Sequence, residues 1–313
     1  MRVTFLILTY NGLAHLEPLM PTIREEVERT RGGAEVLVVE NGNDPGSEAF
    51  MRRSFSEFRY EKSPVNDYLF SLNPFIGAID TDYTVMLNND MLVESMCLDE
   101  CVDLLDADTK LFAVGCHMTD WERENDQSSV RMLHYSKGWY DSRWDQDIGT
   151  DLRYTHYAGG GSSIFRTSML KALGGFNPLY RPAYAEDMDL GWRAWCRGWP
   201  SIYFPNTCIR HREGGTLKEQ FAAGRLKRQI YANRIISSFR NGRAPGFLRQ
   251  FLMRFPYRLI YGCLRDMDTA AALLKAIRRL PLALRQKNAD VKPELSDNQI
   301  RSMIGSRYAG RSK

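Results

Sequence analysis

The sequence lacks the cysteine density of a disulfide-stapled secreted domain. Its six cysteines are scattered over 313 residues without a single CxxC pair, which argues against both a disulfide framework and a thiol metal site. No uninterrupted apolar run approaches the about 18–20 residues that a transmembrane helix needs. The chain opens on a strand-like apolar run instead of a charged lead, so we expect no secretory signal. These absences predict reduced thiols in a cytoplasmic protein that does not span a bilayer.

Charge is unevenly distributed, although the formal net charge is only +4. Residues 1–239 contain 26 Lys and Arg against 33 Asp and Glu, whereas residues 240–287 contain 11 against 2. An acidic body with a basic late segment predicts an anionic partner for that segment, either membrane phospholipid or nucleic acid. A merely solvated basic face is the alternative.

The first half of the chain alternates apolar runs with a segment of helical spacing. We predict strands at Val3–Thr9, Glu35–Val39 and Tyr83–Leu87, with a helix at Leu13–Thr30. Strand, helix and strand with polar turns at the strand ends are typical of a parallel α/β sheet. Ligands of such sheets bind beyond the carboxyl ends of the strands, where Asn, Glu and Gly residues occur here.

The second half is predicted to continue this pattern around residues 119–155, which we interpret as long loops or a small irregular insertion. Long ordered loops in a compact domain are more often functional than idle. The further predicted elements are helices at Asp99–Asp108, Thr167–Leu173 and Glu186–Arg197 and strands at Phe112–Cys116 and Ile202–Phe204.

Single features of the second half are weak indicators of chemistry. An Asp after a strand is usually a turn residue, and Glu-Asp at a helix start is usually a cap. A single His is usually structural, and a triple glycine usually marks a turn. Their order along the chain is more specific than any one of them.

In chain order, the motifs VTFLILTYNG, VLVVENGNDP, LNND, GGGSS, GGF-N, EDMDLGWR and IRHREGGT resemble glycosyltransferase family 2 over residues 3–216. The resemblance implies an α/β GT-A fold for residues 1–239, with a Rossmann-like, mostly parallel sheet flanked by helices. It also implies metal-dependent, inverting transfer of a sugar from a nucleotide diphosphate sugar to an acceptor hydroxyl. A similarity to bacterial rhamnosyltransferases points to dTDP-rhamnose, with a UDP-sugar as another donor.

The resemblance implies a divalent cation that stabilises the diphosphate leaving group. Asp90 matches the last residue of the family's DxD-type motif, written here Asn88-Asn89-Asp90, and His211 matches the late metal-binding histidine. Hard oxygen ligands suit Mg²⁺ or Mn²⁺, and the histidine slightly favours Mn²⁺.

The catalytic base implied by the resemblance is Asp187, with Glu186 beside it. A carboxylate must take the proton of the attacking hydroxyl from the face opposite the leaving group. Arg193 lies one helical turn beyond Asp189 and could pair with it; a purely structural ion pair is the alternative. The residues expected on the acceptor side are Gly160, Gly161, Asp189, Trp192 and Arg193.

Donor binding is expected at the ends of the first strands. Glu40 stands where the family commonly has an Asp that accepts from the N3–H of uracil or thymine, and this departure leaves the base open. Phe75 replaces the usual glycine after Asn73, which weakens a donor-contacting loop there. The expected donor-binding residues are Thr9, Tyr10, Asn11, Glu40, Asn41, Asn73, Asn88 and Asn89.

Residues 240–313 are predicted to form a basic amphipathic helical extension. Between Gly246 and Leu284, apolar pairs at helical spacing alternate with arginines, a pattern apt for a membrane interface. We therefore expect a peripheral protein at the cytoplasmic face of a membrane that acts on a lipid-linked glycan or surface polysaccharide. Packing on the catalytic core and a homodimer interface are the alternatives, and nucleic acid is not expected because the body is acidic.

Two other functions compete with glycosyl transfer. A non-catalytic nucleotide-sugar-binding protein would not need Asp90, Asp187 and His211 together. A sugar nucleotidyltransferase would leave the GGGSS loop and the Glu186-Asp187 pair without roles.

Overall fold

The computed structural model describes residues 2–122, 125–128, 130–136, 138–145, 149–212, 223–265, 267–289 and 292–310. Within these ranges, one large mixed sheet and a separate two-stranded hairpin are flanked by helices. The strands are β1 (Val3–Thr9), β2 (Glu35–Glu40), β3 (Arg59–Lys62), β4 (Tyr83–Asn88), β5 (Met91–Ser95), β6 (Ala113–Asp120), β7 (Arg131–Ser136), β8 (Trp139–Trp144), β9 (Arg153–Thr155), β10 (Ser162–Arg166) and β11 (Ser201–His211). The helices are α1 (Leu13–Arg29), α2 (Pro45–Ser54), α3 (Leu72–Ala78), α4 (Leu98–Ala107), α5 (Thr167–Ala172), α6 (Glu186–Cys196), α7 (Ala223–Asn241), α8 (Phe247–Arg265), α9 (Met267–Ala289) and α10 (Asp297–Met303).

The large sheet has the order β3-β2-β1-β4-β10-β6-β11-β5, and β9 pairs with β11. Strands β3, β2, β1 and β4 are parallel to one another, and β11 is parallel to β6. Strand β10 is antiparallel to both β4 and β6. As a result, the carboxyl ends of β1, β2, β4, β6 and β11 lie at the same edge as the amino end of β10. The predicted α/β architecture with a helical C-terminal part is confirmed.

Alternation of side chains along β1 explains how the sheet is held between two helical layers. Leu6 belongs to one hydrophobic cluster, whereas Phe5 and Ile7 belong to the cluster on the other face. All three are 0% exposed. Successive side chains of a strand point to opposite faces, and central parallel strands are buried on both. The continuous apolar run that predicted β1 therefore reflects burial on both faces.

The predicted strands and helices of the first half agree with the structure to within one or two residues. Four short elements were missed, namely α2, β3, α3 and β5. Strand β11 continues to His211, well beyond the predicted end at Phe204, because its second half pairs with β5 and β6.

The insertion at 119–155 is more regular than predicted. Strands β7 and β8 form an antiparallel hairpin in which Arg131 is opposite Trp144, and β9 joins the large sheet through β11. The alternation in this segment is masked in the sequence because polar and aromatic residues occupy both faces. Of the two alternatives, long loops were therefore wrong, and the segment is a small insertion that contains three strands.

The helical C-terminal part packs on the sheet domain and shares its hydrophobic core. The expected boundary between 239 and 240 falls inside α7. Phe247, Leu273 and Ile300 lie in the same buried cluster as Leu6 of β1. The main-chain N–H of Tyr154 donates to the carbonyl of Ser306 at 3.0 Å, so the chain returns to the sheet near its end.

Candidate active site

The carboxyl ends of β1, β2 and β4 bring predicted donor-site residues to one edge of the sheet. In the parallel register, Thr9 is paired with Glu40 and Leu8 with Asn88. Because β10 runs the other way, the glycine loop before it reaches the same edge, and the N–H of Asn88 donates to the carbonyl of Gly161 at 3.1 Å. Strand direction alone therefore assembles these distant segments.

The Glu40 carboxylate holds together the loops that follow β1 and β2. Its Oε1 accepts from the main-chain N–H of Asn11 at 3.0 Å and of Gly42 at 2.5 Å, and its Oε2 accepts from the hydroxyl of Tyr60 at 3.1 Å. The Glu40 side chain is 0% exposed. Asn11 adopts φ 47°, a left-handed conformation that these contacts stabilise. The structure thus gives Glu40 a shaping role, and its contact with a base stays a prediction.

Two further asparagines of the predicted donor site are buried between loops. The Nδ2 of Asn89 donates to the Oγ1 of Thr9 at 2.9 Å, and the Nδ2 of Asn41 donates to the carbonyl of Tyr68 at 2.8 Å. The Oδ1 of Asn41 is buried without a hydrogen-bond partner among the described residues. Tyr10 lies half-buried beside them. A ligand that donates a hydrogen bond would satisfy Asn41.

Asp90 and His211, the two predicted metal ligands, face each other. Strand β5 follows Asp90 directly and pairs antiparallel with β11, which sets His211 opposite Met91. The Nε2 of His211 consequently lies 3.5 Å from the Oδ2 of Asp90. Their side chains are 27% and 12% exposed, so both remain accessible to a ligand.

Gln127 orients the His211 ring. Its Oε1 lies 2.6 Å from the Nδ1 of His211, which therefore carries the proton and donates. In the neutral ring, this contact leaves the Nε2 lone pair on the side of Asp90, the arrangement found around metal-binding histidines. Sequence reasoning missed Gln127 because it lies in the irregular insertion, where no periodic or motif signal marks it.

The Asp90–His211 pair fits a divalent cation whose remaining ligands come from outside the protein. The described residues contain no group of three or more His, Cys, Asp or Glu side chains able to hold a metal. The Oδ1 of Asp90 is buried and has no hydrogen-bond partner within those ranges. A buried orphan acceptor is costly, and a cation would satisfy it. Mn²⁺ and Mg²⁺ readily take further oxygen ligands from phosphates and water.

Asp187 reaches the same edge across the glycine loop before β10. A Cβ at Gly160 would lie 2.7 Å from the Oδ1 of Asp187, and a Cβ at Gly161 would lie 2.5 Å from the Nδ2 of Asn88. The loop can pass between these two side chains only because it carries no side chains of its own. Asp187 and Asn88 therefore both lie against the backbone of the Gly160–Gly161 loop.

Both carboxylates at the start of α6 are shielded from water. Burial raises the pKa of Asp187 to about 6, although a main-chain contact with Gly160 and the charge of Arg131 act in the opposite direction. Burial and the charge of Asp187 raise the pKa of Glu186 well above its ordinary value. The Oδ1 of Asp187 and the Oε2 of Glu186 lack hydrogen-bond partners within the described ranges. Such perturbed, poorly satisfied carboxylates are typical of catalytic sites.

Arg131, at the start of β7, is a site residue that sequence reasoning did not identify. Its guanidinium lies 3.0 Å from the centre of the Trp144 ring and 5.4 Å from that of Tyr157. Burial lowers its pKa, and the negative charge of Asp187 opposes this shift. The hairpin thus places a desolvated positive charge near the candidate base.

Two residues expected on the acceptor side, Asp189 and Trp192, are instead buried in the core, and Arg193 is bound to main chain beside them. The Asp189 side chain is 0% exposed and accepts from Tyr180 and Arg193, and Trp192 is 2% exposed. The Arg193 guanidinium also donates to the carbonyls of Leu173 and Gly175. Asp189 and Trp192 face inward from α6, so neither can contact an acceptor in this structure, which corrects that expectation. The proposed Asp189–Arg193 ion pair is present at 2.7 Å.

The side chain of Asn73 is also bound within the fold. Its Nδ2 donates to the carbonyl of Phe176 at 2.8 Å, and its Oδ1 accepts from the N–H of Phe176 at 2.9 Å. Because both ends of the amide are bound to one main-chain unit, Asn73 ties α3 to the loop after α5, which corrects its expected donor contact. The Gly214-Gly215-Thr216 end of the last motif lies outside the described residues.

Several solved structures share this fold. GalNAc-T7 with UDP, GalNAc and Mn²⁺ superposes with a TM-score of 0.58 at 10% identity, covering 75% of this chain and 47% of that one. The present chain therefore spans about half the length of GalNAc-T7. The mannosyltransferase PcManGT from Pyrobaculum calidifontis, with GDP-Man and Mn²⁺, gives 0.55 at 19% identity, covering 92% and 79%. TarS (residues 1–349) from S. aureus with UDP-GlcNAc gives 0.58 at 14% identity, covering 93% and 84%.

Sequence comparison assigns the family. No curated protein matches the chain. The model of the family described as Glycosyltransferase like family 2 matches residues 8–232. This range contains Asp90 and His211 as well as Asp187. Because the match covers well over half of the 313 residues, the chain belongs to glycosyltransferase family 2.

Proposed function

We propose that the protein transfers a glycosyl group from a nucleotide diphosphate sugar to an acceptor hydroxyl, with inversion at the anomeric carbon. The observation that supports this most directly is the setting of Asp187. Its carboxylate is desolvated, has a pKa raised to about 6, and lies across the Gly160–Gly161 loop from Asn88. In this proposal, the sugar of the donor would lie between Asp187 and the cation held by Asp90 and His211.

Asp187 acts as the general base in this proposal. It takes the proton of the acceptor hydroxyl while the hydroxyl oxygen forms a bond to the anomeric carbon. The bond from that carbon to the diphosphate oxygen breaks, and its electron pair leaves with the nucleotide diphosphate. A single displacement from the opposite face inverts the configuration. A pKa near 6 keeps Asp187 ionised at neutral pH and still basic enough to accept a proton.

Asp90 and His211 would hold a divalent cation, Mn²⁺ or Mg²⁺. The cation would neutralise the negative charge that develops on the departing diphosphate. Gln127 holds the His211 ring with its Nε2 on the side of Asp90. The imidazole ligand slightly favours Mn²⁺ over Mg²⁺.

The donor is proposed to be dTDP-rhamnose or a UDP-sugar. The resemblance places Glu40 where the family commonly has an Asp that accepts from the N3–H of uracil or thymine, and this contact would require Glu40 to release part of the loop contacts that it makes in this structure. GDP-Man in the PcManGT structure and UDP-GlcNAc in the TarS structure make guanine and uracil both worth testing. For the acceptor, we propose a hydroxyl of a surface polysaccharide or a lipid-linked glycan.

Two alternatives differ in measurable ways. A non-catalytic nucleotide-sugar-binding protein would bind donor without ever releasing the nucleoside diphosphate. A sugar nucleotidyltransferase would release pyrophosphate from a nucleoside triphosphate and a sugar phosphate. The desolvated Asp187 favours transfer, since neither alternative requires a base on the sugar side of the diphosphate.

A donor panel with Mn²⁺ tests the proposal. The full chain is incubated with dTDP-rhamnose, UDP-glucose, UDP-GlcNAc or GDP-mannose; calorimetry measures binding and nucleoside diphosphate release measures donor hydrolysis. We expect one donor to bind and be hydrolysed. Asp187→Asn should lower turnover by about 10²–10⁴-fold with donor affinity changed less than threefold, whereas Asp103→Asn, an exposed control, should match wild type. Undiminished turnover by Asp187→Asn would remove it from the role of base.

A further inference from the structure

Helix α8 is fixed to the catalytic domain along one face. Phe247 and Phe251 are 2% and 1% exposed, and the Phe247 ring lies 5.2 Å from that of Tyr140 and 5.8 Å from that of Tyr135. At the turn between β7 and β8, a Cβ on Gly138 would lie 2.4 Å from the main-chain nitrogen of Phe251. The helix therefore rests directly on the hairpin that carries Arg131.

The opposite face of α8 exposes a continuous apolar stripe. Eleven of the thirteen large apolar side chains that are exposed in the described part of the chain lie in α8 and α9. The stripe on α8 consists of Met253, Tyr257, Ile260, Tyr261 and Leu264, which are 70%, 64%, 60%, 49% and 80% exposed. Their spacing of four, three, one and three residues places them on one face of about 100°. Isolated exposed apolar residues are ordinary, but a contiguous set marks an interaction surface.

Basic residues border the stripe and no acidic residue accompanies them. Arg249 and Arg254 are both exposed, and at about 100° per residue they fall on the two edges of the stripe. Residues 247–265 include four arginines and neither Asp nor Glu. The partner must therefore have both an apolar surface and negative charge.

We propose that the Met253–Leu264 stripe lies in the interfacial layer of a bilayer that contains anionic phospholipid. The side chains of Met253, Ile260 and Leu264 would contact the acyl chains, while the flanking arginines would pair with lipid phosphates. Tyr257 and Tyr261 suit the boundary between headgroups and acyl chains. A second copy of the chain meets these needs less well, because isologous pairing would bring the arginines of α8 close to one another without carboxylates.

The stripe supports binding at the surface of a bilayer rather than insertion through it. Among the residues that the structure describes, no helix has a stretch long and apolar enough to cross a membrane. Since the buried face of α8 is anchored on the β7–β8 hairpin, bilayer contact through the stripe would hold the Arg131 and Asp187 site at a fixed distance from the lipid surface. This surface is independent of the proposed chemistry.

Vesicle sedimentation of the full chain tests the surface. The probes are phosphatidylcholine vesicles with and without about 30 mol% phosphatidylglycerol. We expect wild type to bind the anionic vesicles at least tenfold more tightly than the neutral ones. The triple variant Tyr257→Ser/Ile260→Ser/Leu264→Ser should lose at least tenfold in affinity for anionic vesicles, and Arg249→Gln/Arg254→Gln should lose most of the preference for anionic lipid.

Val65→Ser is the matched control. Val65 is 65% exposed but lies outside α8, so its removal should leave vesicle binding unchanged. Thermal unfolding of each variant verifies that the fold is retained, as expected for exposed positions. Wild-type binding that is absent, or that survives the triple substitution unchanged, overturns the proposal. A dimer in solution that the triple variant converts to monomer, without vesicle binding by wild type, would assign the stripe to a second copy instead.

Discussion

The carboxylate of Asp189 in α6 lies 2.9 Å from the guanidinium of Arg240 in α7, and the two side chains are 0% and 3% exposed. Although burial raises it, the charges of Arg240 and Arg193 bring the pKa of Asp189 below its ordinary value. This buried ion pair joins the helix that begins with the candidate base to the first helix of the C-terminal part. The two parts of the chain are thereby coupled through charge as well as through apolar packing.

Removing Arg240 should destabilise the whole domain. Arg240→Met leaves Asp189 with one arginine fewer in a dry environment, and breaking a buried pair typically costs about 3–5 kcal/mol. Because Arg193 remains, we expect a loss of about 3 kcal/mol in the free energy of unfolding, measured by urea denaturation. Arg52→Met removes an exposed i,i+4 pair with Glu48 and should cost at most about 0.5 kcal/mol. Equal effects of the two changes would contradict the role of the buried pair.

Metal affinity should depend on Asp90, on His211 and on Gln127, which is hydrogen-bonded to His211. Asp90→Asn and His211→Ala should each lower Mn²⁺ affinity at least tenfold in the presence of UDP. Gln127→Leu removes the hydrogen bond that orients the His211 ring. It should lower Mn²⁺ affinity by about tenfold, the lower end of the range for residues that orient metal ligands. Titration of free Mn²⁺ by electron paramagnetic resonance measures all three. His134→Ala, in the β7–β8 hairpin, is the control, and a wild-type affinity in His211→Ala would argue against this site.

Activity should fall as the pH drops below about 6. The proposed base must be ionised, and the pKa of Asp187 is raised to about 6, so kcat/KM should decrease about tenfold per pH unit on the acidic side. Arg131 lowers that pKa through its charge. Arg131→Met should therefore shift the acidic side of the pH profile of kcat/KM to higher pH. Arg131→Lys keeps the charge and should shift it less. If kcat/KM fell at the same pH in wild type and in Arg131→Met, the charge coupling between Arg131 and Asp187 would be excluded.

The same raised pKa predicts a stability gain when the base is removed. A carboxyl group whose pKa is higher in the folded than in the unfolded chain destabilises the fold as pH rises through the interval between the two values. For Asp187 this interval runs from about 4 to about 6. Asp187→Asn should thus match wild type near pH 4 and exceed it by about 3 kcal/mol above pH 7. Chemical denaturation at both pH values measures the difference, and equal stability at pH 8 would count against a desolvated carboxylate.

Adding a methyl group to the glycine loop should displace the base. At Gly160, a Cβ would lie 2.7 Å from Asp187 and 2.8 Å from the Phe176 ring, so Gly160→Ala must shift one of them. A displacement of about 1 Å can cost about 10²-fold in rate, and steady-state turnover measures the loss. Gly77→Ala is the control, because nothing lies within 4 Å of its Cβ position in α3. It should preserve activity and stabilise the chain by about 0.5–1 kcal/mol.

Much of the sheet and of its functional edge could be predicted from local sequence. Strands β1, β2 and β4 are runs of apolar, often β-branched residues that end in polar turns, and this signal needs no knowledge of the rest of the chain. The positions of Asp90 after β4 and of Glu186-Asp187 at the start of α6 follow from the same boundaries. The resemblance of these motifs to family 2 supplied their chemical roles.

Other features depended on contacts between distant segments. Whether Asp189 and Trp192 face an acceptor or the core is decided by the packing of α6 against α7, and a residue's helical position does not reveal which neighbour covers it. Arg131 and Gln127 belong to the site only because the insertion folds over the edge of the sheet. Their local sequence has mixed polarity on both faces, so it carries no periodic signal.

The sequence by itself determined the main strands and helices around the functional edge and the chemical types of the residues at the strand ends, because those depend on short-range periodicity and turn chemistry. Only the tertiary structure decided that His211 meets Asp90, that burial raises the pKa of Asp187, and which side of α8 stays exposed. These depend on strand register, exclusion of water and helix packing, which are properties of the whole folded chain.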